Sequence, residues 1–88
     1  MDNELILNEI ISVVSVFSPG HQACRPVKFK RSNNQEVLIS EVGLGYPVSR
    51  GSRVVHIFDV TDGQSEYRLE FNSRTLAWRL VREASYEG

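Results

Sequence analysis

The run Arg53–Glu83 constrains this chain more than any other stretch. In it, three segments of alternating apolar and polar residues are separated by two clusters of turn residues, Thr61-Asp62-Gly63 and Asn72-Ser73-Arg74-Thr75. Alternation puts successive side chains on opposite faces of a strand, so each segment reads as a strand with one apolar face. Asp-Gly favours a two-residue hairpin turn whose central positions both need positive φ. With Asp62 and Gly63 as that pair, Val60 faces Ser65, Phe58 faces Tyr67, His56 faces Leu69 and Val54 faces Phe71. With Asn72–Thr75 as a four-residue loop, Phe71 faces Leu76, Leu69 faces Trp78 and Tyr67 faces Leu80. The two choices are independent, yet they converge on one apolar face with rows Val54–Phe71–Leu76, His56–Leu69–Trp78 and Phe58–Tyr67–Leu80. A slip of one residue would turn a whole strand over. The cost of this register is Asp59 opposite Glu66, a like-charge pair on the other face.

That other face carries Glu66, Arg68 and Glu70 on the middle strand and Val55 and Ile57 on the first. A strand that is apolar on both faces is normally covered on both. The expected cover is the N-terminal segment, closure of a barrel, or another subunit. Arg68 is expected to face Arg79.

Further turn clusters at Ser18-Pro19-Gly20, Ser32–Gln35 and Gly43–Pro47 cut the rest of the chain into strand-length pieces. Ile6, Ile10, Val13, Val14 and Phe17 would share one helical face, but Ile10–Phe17 is rich in β-branched residues, which favour strands. The pattern predicts a strand over 10–17 after an irregular or short helical lead-in over 1–9. Val27–Lys30 and Glu36–Val42 read as two more strands. The expected fold is mainly β: five or six short antiparallel strands in a meander, curled into a small barrel or sandwich. With 88 residues, 41% hydrophobic and 24% charged, the chain makes a single domain over 1–88, with its β core at 10–83 and a tail at 84–88.

Net charge is −1, but the signs are segregated. Residues 1–20 hold three acids and no base, whereas residues 21–34 hold Arg25, Lys28, Lys30 and Arg31 and no acid. This is unlike a strongly basic nucleic-acid-binding domain, although it leaves a local basic strip. A single cysteine excludes an internal disulfide framework and fits a reducing compartment. The acidic start lacks the charge of a signal peptide, and Ile10–Phe17 is too short to span a bilayer. A cytoplasmic protein without membrane contact is the expectation.

No residue set carries recognisable catalytic, metal or cofactor chemistry. His21 and Cys24 offer two metal ligands where a structural zinc site needs four. Cys24 has no evident activating base. His56 and Asp59, three apart in a strand, point to opposite faces. Gly43-x-Gly45 lacks the helix that a phosphate cradle requires and reads as a plain turn. Trp78, Phe58 and Phe71 fall on the core face, leaving Tyr46 and Tyr86 as freer aromatics. Lys28, Lys30, Arg31, Arg68 and Arg79 form the candidate contact set for an anion or nucleic acid.

The segments Pro26-Val27-Lys28-Phe29 and Ile39–Val42, with Tyr67-x-Leu69-x-Phe71-x-x-x-Thr75-x-x-Trp78-x-Leu80, resemble small uncharacterised bacterial β domains that share this spacing. The resemblance spans about residues 10–83. It implies a fold and carries no activity or functional residues. The functional expectation is a non-enzymatic interaction module that binds a protein partner, or itself, through a β edge or through Val55, Ile57 and Tyr46. The alternatives are a nucleic-acid-binding β domain using the basic strip and an enzyme with an unmarked pocket.

Overall fold

A computed structural model describes residues 4–19 and 24–85. Among them are seven strands: β1 (Glu4–Phe17), β2 (Cys24–Lys30), β3 (Glu36–Leu38), β4 (Glu41–Arg50), β5 (Arg53–Thr61), β6 (Ser65–Asn72) and β7 (Ala77–Ser85). All pairings are antiparallel, and the order across the sheet is β3-β2-β1-β7-β6-β5-β4. The expected five or six strands become seven because the expected strand Glu36–Val42 breaks after Leu38 and the Gly43–Pro47 stretch read as a turn belongs to β4. β1 runs for 14 residues and lies inside the sheet, between β2 and β7. The short lead-in expected before residue 10 is therefore strand from Glu4 onward. Among the described residues no helix is long and apolar enough to cross a membrane.

Sequential strands are neighbours everywhere except β3 and β4, which lie at opposite edges. The sheet curls so that the link between them nearly closes it. The Ile39 amide donates to the Val27 carbonyl on β2 at 3.0 Å, and the next amide, Ser40, donates to the Thr61 carbonyl on β5 at 2.9 Å. The Val27–Ile39 bond continues the β2–β3 register, while on its other side β2 bulges at Val27: Val14 pairs with Lys28 but Ser15 pairs with Pro26. Pro26 has no amide for the ladder, so a bulge beside it is the expected accommodation.

The inner face of the curl holds the core. Leu69, Leu80 and Phe29 are almost wholly enclosed, with Ile11, Val37, Phe58, Val60, Tyr67, Phe71 and Trp78 around them. Burying each such side chain contributes about 1.5–3 kcal/mol. The rings meet at an angle: Phe29 stands edge-on to Tyr67 at 5.2 Å, and Trp78 lies 4.6 Å from Phe71 and 5.6 Å from Phe58.

The expected face is present, but both hairpin registers are offset by two residues. Phe58 faces Leu69, His56 faces Phe71 and Val60 faces Tyr67. Phe71 faces Trp78 and Leu69 faces Leu80. Because side chains alternate with period two, a two-residue offset keeps the same residues inside. It drops Val54 and Leu76 out of the core, at 47% and 71% exposure. It also exchanges the Asp59–Glu66 clash for Asp59 opposite Arg68.

Loop chemistry causes the offset. The Asp62 carboxylate accepts from the amides of Gln64 and Ser65, both at 2.8 Å, which widens the turn to four residues. The second loop keeps four residues but moves on by one, to 73–76, with the Asn72 side-chain oxygen accepting from the Arg74 and Thr75 amides at 2.9 and 3.2 Å. The two-residue turn occurs instead at Gly51-Ser52, between the paired Arg50 and Arg53, with Gly51 at φ 62°.

Gly43 and Gly45, expected in a turn, lie within strand β4. A β-carbon on Gly45 would come within 3.2 Å of the Phe58 ring, and one on Gly43 within 3.2 Å of the Asp59 carbonyl. β4 also bulges between Val42 and Gly45. These glycines let an edge strand lie closely over β5, and Pro47 leaves a gap in its row of amide donors.

Candidate functional site

The outer face of the sheet carries most of the residues nominated from the sequence. Val55 and Ile57 lie there but are buried, at 5% and 3% exposure. Their cover comes from this chain. Val48 and Tyr46 on β4 stand opposite them, and the Arg50 guanidinium reaches across β5 to clasp both Glu70 oxygens at 2.9 Å. The stem of Arg50 shields apolar surface while its head stays paired. Of the expected covers, the N-terminal segment contributes: Ile6 on β1 lines one hollow with Val55 and another with Ile57. Tyr46 remains partly exposed.

Four of the five nominated cations project from this face or its edge, and Arg31 does not. Lys28 reaches Glu36 at 3.4 Å, and Lys30 is exposed opposite Ser12. Arg68 is held by Asp59 at 2.8 Å. It faces Arg82, which is itself paired with Glu4, and not Arg79 as expected. Arg79 faces Glu70 and Ile10, and it donates to the Asn8 carbonyl oxygen at 3.1 Å.

Arg31 instead turns toward the core side, between Glu9 at 2.8 Å and Glu83 at 2.9 Å. The guanidinium, with the Ser32 amide, holds the Glu9 carboxyl well below its ordinary value, at about 2. The two carboxylates correspondingly raise the pKa of Arg31. Arg31 thus ties β1, β7 and the β2–β3 turn together. It is removed from the candidate contact set.

The surface that sequence reasoning missed is on β1. Ile6, Ile10, Val14 and Val16 alternate onto the outer face and are 75%, 63%, 50% and 51% exposed. β1 pairs with β7 over its first half and with β2 over its second, so each half of the stripe has a strand on one side only. Cations flank the stripe: Arg25 and Lys28 pair with Val16 and Val14 from β2, and Arg79 and Arg82 pair with Ile10 and Ile6 from β7. The signal was present as the alternation Ile6-Asn8-Ile10-Ser12-Val14, but the same residues also fit one face of a helix.

The remaining candidates are dispersed. His21 and Tyr86 lie outside the described residues. Burial pushes the Cys24 thiol up, which keeps it protonated and works against nucleophilic use. His56 is half-buried, with its ring 6.3 Å from Phe71. Among the described residues no group of three His, Cys, Asp or Glu is arranged to hold a metal ion. One hollow of about 460 Å³, beside the β4 bulge, brings Glu41, Asp59 and Glu66 near Arg68 and Arg82. Asp59 is engaged by Arg68 there, so it is not a free base.

Compared with known proteins, the chain matches no family model, no curated relative and no solved structure.

Proposed function

We propose that this domain is a non-enzymatic interaction module that docks an acidic, apolar segment of a partner protein on the outer face of β1. The observation that carries this reading is the exposed stripe Ile6, Ile10, Val14 and Val16, bordered by basic side chains of β7 along its first half and of β2 along its second. An apolar strip desolvated by a partner supplies affinity, and the cations select partner charge and speed encounter. Among the described residues, Arg25, Lys30 and Arg79 have no carboxylate partner, so an acidic segment finds free charge. Self-association across a two-fold axis would bring those cations against their own kind, which disfavours it.

The two outermost strands are poor sites for strand addition. β3 is three residues long, and β4 carries a bulge and Pro47. All three features discourage another strand from pairing.

Nucleic-acid binding is the second reading, favoured by Lys28, Lys30 and Arg79 sharing a face with Arg25. Its platform is poor, because Phe29, Phe58, Phe71 and Trp78 are buried in the core and unavailable for base stacking.

Amide shifts on titration with a soluble peptide of alternating Glu and Leu test the proposal. The expected shifts cluster on β1, β2 and β7, weaken with salt and are lost in V14E. Absence of shifts at millimolar peptide, or shifts unaffected by V14E, would overturn it. A response to oligonucleotide but not to peptide would transfer support to the second reading.

A further inference from the structure

A hollow of about 600 Å³ opens on the outer face, over the end of β5 and across β6 and β7 to β1. Its size is typical of small-ligand sites. Its floor is apolar, formed by Val55, Ala77, Val81 and Ile6. Around that floor stand Arg50, Arg53, Arg79, Asn8, Asn72 and Thr75.

The hydrogen bonds already made by these side chains decide what the hollow can accept. The Asn8 carbonyl oxygen takes a bond from Arg79. Arginine has no acceptor, so the Asn8 amide group is left facing elsewhere as a donor. The Asn72 oxygen takes the amides of Arg74 and Thr75, which leaves its NH₂ group as a donor too. The Thr75 hydroxyl oxygen takes the Ala77 amide at 3.3 Å and keeps its proton to give. The one carboxylate in the hollow, Glu70, spends both oxygens on Arg50. Each of these side-chain acceptors already takes at least one bond from within the chain, whereas the Asn8 and Asn72 amide groups and the Thr75 proton are left to give.

Charge agrees with this census. Arg50, Arg53 and Arg79 against Glu70 leave a net +2 in the hollow. Arg53 sits directly opposite Arg50 in the β4–β5 ladder, and Glu70 pairs only with Arg50 of the two. Arg79 stands opposite Glu70, whose oxygens are turned to Arg50 instead. Concave walls of low dielectric concentrate such a field. Arg53 and Arg79, which have no carboxylate partner among the described residues, suit bidentate capture of an oxyanion.

We propose that this hollow is a binding site for an amphiphilic oxyanion, a carboxylate or phosphate monoester with a short apolar group. The oxyanion is held by Arg53 and Arg79 with the amide groups of Asn8 and Asn72, and the apolar group lies on Val55 and Ile6. The site goes beyond the docking reading and does not depend on it, because its donors act on a free small molecule as well as on an acidic side chain.

Hexanoate, hexyl phosphate, inorganic phosphate and 1-hexanol, each titrated into ¹⁵N-labelled protein, separate the contributions. Saturable shifts at Asn8, Arg53, Asn72 and Arg79 are expected with the two amphiphilic anions. Inorganic phosphate should bind more weakly, and hexanol should give no saturable response there. R53Q and R79Q should each weaken hexanoate binding by about tenfold or more, as expected for loss of a charge-assisted bond. N8D, which sets a carboxylate beside Arg79, should do the same without enlarging the hollow. V14E, which tests the docking stripe, should leave hexanoate binding unchanged. Equal binding of hexanol and hexanoate, hexanoate binding that survives R53Q and R79Q, or no saturable binding of either anion would each overturn the proposal.

Discussion

Replacing Glu9 with Gln should expose how much the Arg31 tie contributes. The Glu9 carboxyl is lowered from its ordinary 4.5 to about 2, chiefly by its hydrogen bonds to Arg31. At about 1.4 kcal/mol per pH unit, that corresponds to roughly 3 kcal/mol if nothing were screened. The side chain keeps 19% of its surface in water, and solvent exchange reduces the contribution to about 1–2 kcal/mol. The sign follows from the direction of the shift. A carboxylate lowered by folding stabilises at pH values above its unfolded 4.5, and the contribution is lost as pH falls toward about 2. E9Q should therefore lower stability by about 1–2 kcal/mol at pH 7, or about 5–10 °C in Tm for a domain this small. The gap between the two proteins should narrow by more than half by about pH 3, where wild type is losing the same interaction. Urea unfolding at pH 7, 5, 4 and 3, with matched salt, measures it. A gap that stays constant from pH 7 to pH 3, or no gap at pH 7, would refute the assignment of this stabilisation to the Glu9–Arg31 pair.

Two backbone positions give further tests. Leu76 holds φ at 63° with 71% of its surface exposed, so it bears left-handed strain with little burial in return. L76N should raise stability by about 0.5–1 kcal/mol in urea unfolding, because Asn tolerates that conformation better. G45V should lower stability by about 1–3 kcal/mol, because its side chain would press on the Phe58 ring that already stands 3.2 Å from a β-carbon there. Loss of the upfield or downfield ring-current shifts around Phe58 would locate the damage.

The faces of the C-terminal strands were legible in the sequence because Tyr67, Leu69, Phe71, Trp78 and Leu80 repeat at period two. The register was not, because it depends on where each loop starts and how many residues it spends. Asp62-Gly63 looks like a two-residue turn, but the Asp62 carboxylate gathers two amides and makes a wider one. The Asp59–Glu66 clash of the narrower turn was the trace of that difference, and Asp59 beside Arg68 is its resolution. Leu76 could not be placed in advance, since leucine is a poor signal for a left-handed residue. The candidate surface was less legible still. Lys28, Lys30 and Arg79 reach a common outer face, but their relation depends on β1 lying between them, and β1 was ambiguous between helix and strand. Arg31 was misassigned because its partners, Glu9 and Glu83, are 22 and 52 residues away.

The placement of β1 beside β7 also bears on the order in which the domain can be assembled during synthesis. The pairs Ile11–Trp78 and Glu9–Leu80 join residues about seventy apart, and long-range pairing of this kind is slow to form. Strands β4 to β7 are a run of local hairpins and can gather early. β1 emerges from the ribosome before the other six strands, yet it lacks one neighbour until residues 77–85 have been made. Through that interval Ile11 and the Ile6–Val16 stripe are both in water, so a nascent chain is exposed to misassociation through β1. Translation speed across β4–β6, rather than final stability alone, should therefore set how much of this protein reaches its folded state.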